Sequence, residues 1–302
     1  MSFSDCRSAW VSGERSSFSA TVNDYAYTPR IAWPASLASA LTSSSSRCMS
    51  GIIESPERRA LYHRPVKRTS NVPDWQSIDT VLLDMDGTLL DLGFDIHFWQ
   101  ERLPRHIAES RRVPIDEVRR AMKPMFEATH GTLNWYCIDY WSRTLSLDIA
   151  ALKRAARHQI AWLPKAREFV AGLRAAGRRV VLVTNAHPET LAIKDAHLGV
   201  KREFDAVYSS HELGEAKENA AFWPRLASLE PFDARRTLYV DDSLQVLRAA
   251  RAHGIAWLYA VRRPDSGAPS RVVTDFPGVD SVHELAEGLA PRMPEAQPAG
   301  VG

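Results

Sequence analysis

The sequence predicts an α/β fold, in which a doubly wound, Rossmann-like parallel sheet forms the core and an α-helical cap is inserted into it. Two observations predict the core: strand-like and helix-like segments alternate between residues 179 and 261, and polar residues recur where the predicted strands end. A third observation predicts the cap, because residues 94–162 read as helical throughout and separate the first predicted strand from the second.

The first predicted strand covers residues 80–84 and leads directly into a turn that contains acids. In the cap, apolar residues recur with helical spacing from Ile115 to Phe126, and Gly131 is placed to end that helix. Pro164 is predicted to open the next helix and Gly177 to close it. Beyond that point the predicted strands are 179–185, 204–210, 237–241 and 256–261, and the predicted helices are 188–198, 218–229 and 244–253.

These patterns divide the chain into a core, a cap and two flanking segments. Residues 73–93 and 163–290 belong to the predicted core, and residues 94–162 to the cap. Residues 1–72 are serine-rich and weakly patterned, which is typical of a flexible extension, and residues 291–302 are predicted to be a flexible tail. An organelle presequence and a translation start at Met49 are the alternatives for the extension.

Composition excludes several classes of protein. Of the 302 residues, 45% are hydrophobic and 25% are charged, which suits a folded protein with a substantial core. No apolar run approaches the roughly 20 residues needed to cross a bilayer, and no basic cluster accompanies the net charge of +2, so neither membrane nor nucleic acid is expected as a partner. The three scattered cysteines, Cys6, Cys48 and Cys137, argue against a disulfide framework and a zinc site and favour the cytoplasm.

The most informative motif is the run Asp84-Met-Asp86-Gly87-Thr88, at the end of the first predicted strand. Asp84 and Asp86 would point to opposite faces of an extended strand, but a turn at Gly87 brings both to one pocket. Two neighbouring buried carboxylates need a cation, and Mg²⁺ with its oxygen ligands is the natural candidate. Taken alone, the run is also compatible with an Asx-type turn in a hairpin.

Three further motifs follow predicted strands. Thr184 ends the second strand and could hold a phosphate oxygen, or it could simply begin a helix. Lys217 follows the third strand and, by itself, could be an ordinary surface lysine. Asp241 and Asp242 end the fourth strand, where acids also cap helices. Because ligands of open α/β sheets bind at the carboxyl edge, the combination predicts one site.

In kind, order and approximate spacing, these four motifs resemble those of the haloacid dehalogenase superfamily, over roughly residues 79–289. Four strings, Leu82–Leu92, Thr132–Trp141, Thr184–Pro188 and Pro264–Gly267, are similar to the bacterial GMP/IMP 5'-nucleotidases of that superfamily. Ala216 departs from the family pattern, which has proline before the motif lysine.

The resemblance implies a magnesium-dependent phosphatase in which Asp84 is the nucleophile and forms an aspartyl-phosphate. Asp86 would be the general acid and base, and Thr184 and Lys217 would hold and neutralise the phosphate. Mg²⁺ would be bound by Asp84, the backbone carbonyl of Asp86 and Asp242, and Asp241 would orient a metal-bound water.

The resemblance also implies a purine nucleoside 5'-monophosphate, GMP or IMP, as substrate. The candidate substrate contacts are Thr184 and Asn185 in the core and Asn134, Trp135 and Asp139 in the cap. The cap aromatics, which include Tyr136, Tyr140 and Trp141, could stack on a base or hold the cap helices together, and Asn134 and Asp139 could be helix caps.

Three rival functions share the motifs: a phosphatase of another small phosphomonoester such as a sugar phosphate, a phosphomutase, and a non-catalytic phosphate-binding module. Neither the base preference between guanine and hypoxanthine nor the oligomeric state follows from the sequence.

Overall fold

The computed structural model describes residues 72–291, so most of the predicted extension and tail, Cys6, Cys48 and the alternative start Met49 lie outside the described residues. Within that range one sheet is formed by β1 (Thr80–Leu83), β2 (Arg179–Thr184), β3 (Ala206–Ser209), β4 (Thr237–Asp241), β5 (Trp257–Val261) and β6 (Gly278–Val279). Its order is β3-β2-β1-β4-β5-β6, and every neighbouring pair is parallel. The predicted doubly wound sheet is confirmed, and β6 is a strand that the sequence patterns did not indicate.

The central strand β1 is buried on both faces, which explains its uninterrupted apolar sequence. Val81 and Leu83 pack into one hydrophobic layer and Leu82 into the other, as the two-residue period of a strand requires. Leu83 pairs with Leu182 of β2 on one side and with Val240 of β4 on the other. The sheet therefore extends from β1 through β2 and β3 on one side, and through β4, β5 and β6 on the other. The gap between the ends of β1 and β4 is the topological switch point, where open α/β sheets bind ligands.

The helices of the cap lie between β1 and β2. They are α1 (Gly93–His97), α2 (Leu103–Arg111), α3 (Ile115–Thr129), α4 (Leu133–Tyr136), α5 (Ile138–Leu145) and α6 (Ile149–Ala155), with a π-helical segment at Phe98–Arg102. They enclose a hydrophobic core of their own, which includes Phe98, Met122, Trp141 and Leu145. Gly131, at φ +75°, follows α3 and ends it as predicted.

The prediction that residues up to 162 are helical is wrong at the end of the cap. The N–H of Asp91 donates to the carbonyl of Ala161 at 2.9 Å, and the N–H of Leu163 donates to the carbonyl of Leu89 at 2.8 Å. The segment that leaves the core and the segment that returns to it are thus held side by side, because each supplies the other's backbone partners.

The core helices are α7 (Ala166–Ala175), α8 (Pro188–Leu198), α9 (Ser210–Leu213), α10 (Phe222–Leu229) and α11 (Leu244–His253). Two predicted starts are wrong: α7 begins at Ala166 rather than Pro164, and α10 begins at Phe222 rather than residue 218. The residues before α10 form a loop that holds Lys217, whose carbonyl accepts the indole N–H of Trp223 at 3.0 Å. Among residues 72–291, no helix combines the length and apolarity that a bilayer crossing requires.

Candidate active site

The residues of the four motifs meet at the carboxyl edge of the sheet. A cavity of about 130 Å³ lies between this edge and the cap. The core residues predicted from the motifs all line it: Asp84, Asp86, Thr184, Asn185, Lys217, Asp241 and Asp242. They converge because parallel strands end at the same edge and because β1 and β4 are neighbours.

Lys217 is the centre of the buried charges in this site. Its ammonium lies 2.5 Å from Asp84 Oδ1 and 2.8 Å from Asp241 Oδ2, and it also donates to Tyr239 Oη and the carbonyl of Val183, both at 3.1 Å. Burial by itself would lower the pKa of Lys217, but the charges of Asp241 and Asp84 outweigh burial and raise that pKa. Lys217 therefore stays protonated. It is buried and bonded within the site, so it is not an ordinary surface lysine.

Asp241 and Asp242 are adjacent in sequence but differ in their surroundings. Both carboxylate oxygens of Asp241 have protein partners, since Oδ2 accepts from Lys217 and from the Tyr239 hydroxyl, and Oδ1 accepts from the N–H of Ser243 at 2.6 Å. Asp242 Oδ2, by contrast, is buried and has no hydrogen-bond partner among the described residues. Burial and the charge of Asp241 raise the pKa of Asp242 well above its usual value.

The carboxyl group of Asp84 is also buried, and its pKa is raised as well. Burial raises the pKa of its carboxyl to about 7, although Lys217 opposes the shift. One carboxylate oxygen of each of Asp84, Asp241 and Asp242 lies within 4.8 Å of the others. In its ionised form this cluster carries three negative charges, and Lys217 balances one of them.

Three properties of this carboxylate cluster fit a bound Mg²⁺. The cluster supplies carboxylate oxygens only, it has an excess negative charge, and Asp242 Oδ2 is a buried acceptor to which no group in residues 72–291 donates. The guanidinium of Arg271 donates to the backbone carbonyl of Asp242, and its charge opposes the rise in the pKa of the Asp242 carboxyl. The carboxylate of Asp86 lies outside this cluster, so only its backbone carbonyl remains as the predicted ligand.

Gly87 allows Asp242 to approach the acid turn. Its φ is +86°, and a Cβ at this position would lie 2.9 Å from Asp242 Cγ. Real Cβ atoms do not approach so closely, and the backbone conformation itself favours glycine. The glycine of the motif is therefore required by both conformation and space.

The side chain of Asp86 belongs to a buried ion-pair network that the sequence patterns did not indicate. Lys194 of α8 donates to Asp86 at 2.5 Å and to Asp95 at 2.6 Å, and Lys153 of the cap donates to Asp95 at 2.5 Å. We call these four residues, Lys153, Asp95, Lys194 and Asp86, the ion-pair network. Burial raises the pKa of Asp86 although Lys194 opposes it, which favours a carboxyl group that can carry a proton.

Local sequence gave no signal for the other members of this network. Lys194 lies beside Leu191 and Ile193 in a helix whose lysine would ordinarily be assigned to the surface, yet it is 1% exposed. Its two carboxylate partners come from segments about a hundred residues away. The docking of α1 and α6 of the cap against α8 of the core brings Asp95 and Lys153 to Lys194, whereas Asp86 reaches Lys194 from the acid turn of the core.

Thr184 and Asn185 end β2 and organise the adjacent loop. The Thr184 hydroxyl accepts the N–H of Ala186 at 3.0 Å, while Asn185 Oδ1 accepts the N–H of Lys217 at 3.0 Å. The amide of Asn185 also donates to Glu218 at 2.9 Å, and Glu218 accepts from the hydroxyl of Tyr136 in the cap at 2.5 Å. Asn185 thus orients the backbone that carries Lys217, and Glu218 connects this loop to the cap.

The cap wall of the cavity is mainly aromatic. Of the predicted cap contacts, Trp135 lines the cavity, whereas Asn134 and Asp139 are exposed and do not line it. Asp139 lies instead 3.6 Å from His187 Nε2. Tyr136 and Trp141 also line the cavity, and Trp99, Phe126 and His130 are wall residues that the motifs did not indicate. Trp141 serves packing as well, since its ring centroid lies 5.0 Å from that of Phe126.

The chain is similar to known proteins in sequence and in fold. The family model described as haloacid dehalogenase-like hydrolase matches residues 78–254. Over 215 residues the chain is 39% identical to the GMP/IMP nucleotidase YrfG of Escherichia coli (strain K12), and equally to the protein of that name in Shigella flexneri, covering 71% of this chain and 97% of each relative. The crystal structure of a HAD phosphatase from Thermococcus onnurineus matches with a TM-score of 0.60 and 19% identity, over 71% of this chain and 100% of that one, and this likeness shows the shared fold.

Proposed function

The chain belongs to the haloacid dehalogenase-like hydrolase family and is a hydrolytic enzyme, and from this premise we propose that it is a magnesium-dependent phosphatase of purine nucleoside 5'-monophosphates. The observation that carries the proposal is the convergence of Asp84, Lys217 and Asp242 beneath a cavity whose opposite wall is aromatic. The purine part is supported by the likeness to GMP/IMP nucleotidases over nearly their whole length.

Mg²⁺ would be held by the carboxylates of Asp84 and Asp242 and by the backbone carbonyl of Asp86. When bound, it neutralises negative charge on the phosphate that would otherwise repel a carboxylate nucleophile. Asp241 then acts mainly through Lys217, because both of its oxygens already have partners in the protein.

In the first step a carboxylate oxygen of Asp84 attacks phosphorus. The bond from Asp84 to phosphorus forms, the bond from phosphorus to the ribose oxygen breaks, and Asp86 gives its proton to that leaving oxygen. Lys217 remains charged beside Asp84 and offsets the charge of the aspartyl-phosphate. Thr184 and Asn185 also line the cavity, where they would hold phosphate oxygens.

In the second step Asp86, now ionised, removes a proton from water as the water attacks the aspartyl-phosphate. The bond between Asp84 and phosphorus breaks, inorganic phosphate leaves, and both carboxyl groups return to their initial states. Lys194 fits this cycle because its charge, 2.5 Å from Asp86, stabilises the ionised form that exists between the two steps.

The base would bind against the cap wall, where Trp99, Phe126 and Trp135 offer aromatic surface for stacking. His130 and Gln100 also line this part of the cavity and are able to hydrogen-bond the edge of a base. Asn134 and Asp139 play no part in this proposal, because they are exposed and do not line the cavity.

A phosphate-release assay with purified protein tests the proposal. We expect release from IMP and GMP with Mg²⁺ and little release with EDTA. For ribose 5-phosphate, which has no base, kcat/KM should be about 5- to 150-fold lower, since a lost stacking contact costs about 1–3 kcal/mol. UMP and CMP, whose single rings cover less aromatic surface, should lie between these limits. Equal kcat/KM for ribose 5-phosphate and IMP would refute the purine part. Full activity in EDTA after exhaustive dialysis would refute the magnesium part.

A further inference from the structure

A second cluster of metal-ligating side chains lies where the cap meets the core. Cys137 Sγ and one imidazole nitrogen each of His187 and His211 lie within 4.8 Å of one another. None of these three residues lines the cavity described above. The cluster is therefore separate from the carboxylate site.

The three side chains come from three elements. Cys137 precedes α5 in the cap, His187 is the residue before α8 at the end of β2, and His211 lies in α9, just after β3. The sequence argued against a zinc site because its cysteines are scattered, but the partners of Cys137 prove to be histidines from distant segments.

His211 is the least satisfied member of the cluster. Both of its ring nitrogens are buried and have no hydrogen-bond partner among the described residues. Its ring centroid lies 4.9 Å from that of His187, and burial together with this neighbour lowers the pKa of His211 to about 4. A neutral imidazole has a free lone pair, and a buried polar atom without a partner calls for a ligand or ion that satisfies it.

The surroundings of the other two residues are compatible with metal binding. The N–H of Tyr140 donates to Cys137 Sγ at 3.4 Å and so orients the sulfur. Asp139 Oδ2 lies 3.6 Å from His187 Nε2, but it is not within 4.8 Å of all three ligand atoms of the cluster. His187 Nδ1 accepts the N–H of Glu189 at 3.3 Å; if the metal binds through Nε2, the ring proton moves to Nδ1 and this long hydrogen bond is lost.

We propose that Cys137, His187 and His211 bind a zinc-class divalent cation, with solvent as the fourth ligand. A thiolate and two imidazoles favour Zn²⁺ or Co²⁺ over Mg²⁺, whereas the carboxylate cluster has the opposite preference. Binding releases the thiol proton to solvent and forms the bond from sulfur to the metal. Because Cys137 belongs to the cap and the histidines to the core, the bound ion cross-links the two and restrains movement of the cap.

Titration of the full-length protein with Co²⁺, in saturating Mg²⁺ that occupies the carboxylate site, tests this inference. We expect one equivalent to bind with a thiolate-to-cobalt charge-transfer band and tetrahedral d–d bands, and Zn²⁺ to displace it. Cys137→Ser should remove the charge-transfer band, and His211→Asn should weaken binding by at least about tenfold. The matched controls Cys6→Ser and Cys48→Ser should retain the spectrum.

Hydrogen exchange supplies a second readout that does not depend on activity. Zn²⁺ should slow exchange in residues 133–145 of the wild-type protein and leave it unchanged in Cys137→Ser. The inference is overturned if the wild type shows no charge-transfer band, or if Cys137→Ser or His211→Asn binds Co²⁺ as the wild type does. Neither result bears on the proposed phosphatase reaction, which uses other residues.

Discussion

Replacement of Lys194 by methionine tests the role of the buried ion-pair network most directly. Lys194 is 1% exposed and is bonded to two carboxylates, so its removal leaves Asp86 and Asp95 with Lys153 as the one remaining cation of the network. Breaking a buried ion pair by removing one partner costs about 3–5 kcal/mol, because the other partner keeps its desolvation penalty. For a folded unit of this size, that loss lowers Tm by on the order of 10 °C.

Thermal and urea unfolding of four proteins measures this effect: the wild type, Lys194→Met, Asp95→Asn and the double variant. The double variant removes one positive and one negative charge, so we expect it to be more stable than the sum of the single effects by about 0.5–3 kcal/mol. Lys201→Met, at an exposed lysine, is the matched control and should change stability by less than about 0.5 kcal/mol.

The pH dependence of kcat/KM gives the functional half of the same test. Lys194 lowers the pKa of Asp86, so its removal should raise that pKa further and extend the protonated form to higher pH. The alkaline limb of the profile should then move to higher pH in Lys194→Met and stay in place in Lys201→Met. An unmoved limb, together with a stability loss no larger than that of Lys201→Met, would refute a role for Lys194 in positioning and tuning Asp86.

Three further outcomes are expected. Asp84→Asn should reduce kcat more than about 1,000-fold while near-UV circular dichroism stays native, because the nucleophile is lost but its shape is kept. Gly87→Ala should lose about 1–2 kcal/mol of stability from its φ of +86° and should also weaken Mg²⁺ activation, since the new Cβ displaces Asp242. Burial raises the pKa of Asp84 from 3.8 to about 7, so this group stabilises the metal-free protein at acidic pH and loses that contribution as pH rises through 7. The increase in Tm caused by Mg²⁺ should therefore be larger at about pH 8 than at about pH 5.

Each of these outcomes has a control or a result that would contradict it. Full turnover by Asp84→Asn would remove the nucleophile assignment. Gly131→Ala has a similar φ of +75° but no atom within 4 Å of the new Cβ, so it should lose stability without changing Mg²⁺ activation; equal Mg²⁺ activation in both variants would contradict the close-approach argument. For the pH effect, Asp242→Asn should abolish most of the stabilisation by Mg²⁺, and a Tm increase independent of pH would show that Asp84 does not control metal binding.

The fold and the core motifs could be predicted from the sequence because both depend on short-range patterns. Alternating strands and helices, the apolar run before Asp84 and the acids after β4 are local features, and parallel strands bring their carboxyl ends to one edge by geometry alone. The end of the helical region before residue 162 was not visible in this way, because it depends on backbone bonds to Leu89 and Asp91 across the base of the cap.

By itself the sequence determined the parallel α/β sheet, the inserted helical cap and the set of core residues around Asp84. The tertiary structure alone decided that Lys194 pairs with Asp86, that Trp135 rather than Asn134 or Asp139 faces the cavity, and that Cys137 meets two histidines. The physical reason is the sequence distance over which each feature is determined. Hydrophobic periodicity and the polar residues at strand ends depend on neighbouring residues. The partner of a buried charge or thiol depends instead on how segments far apart in the sequence pack together.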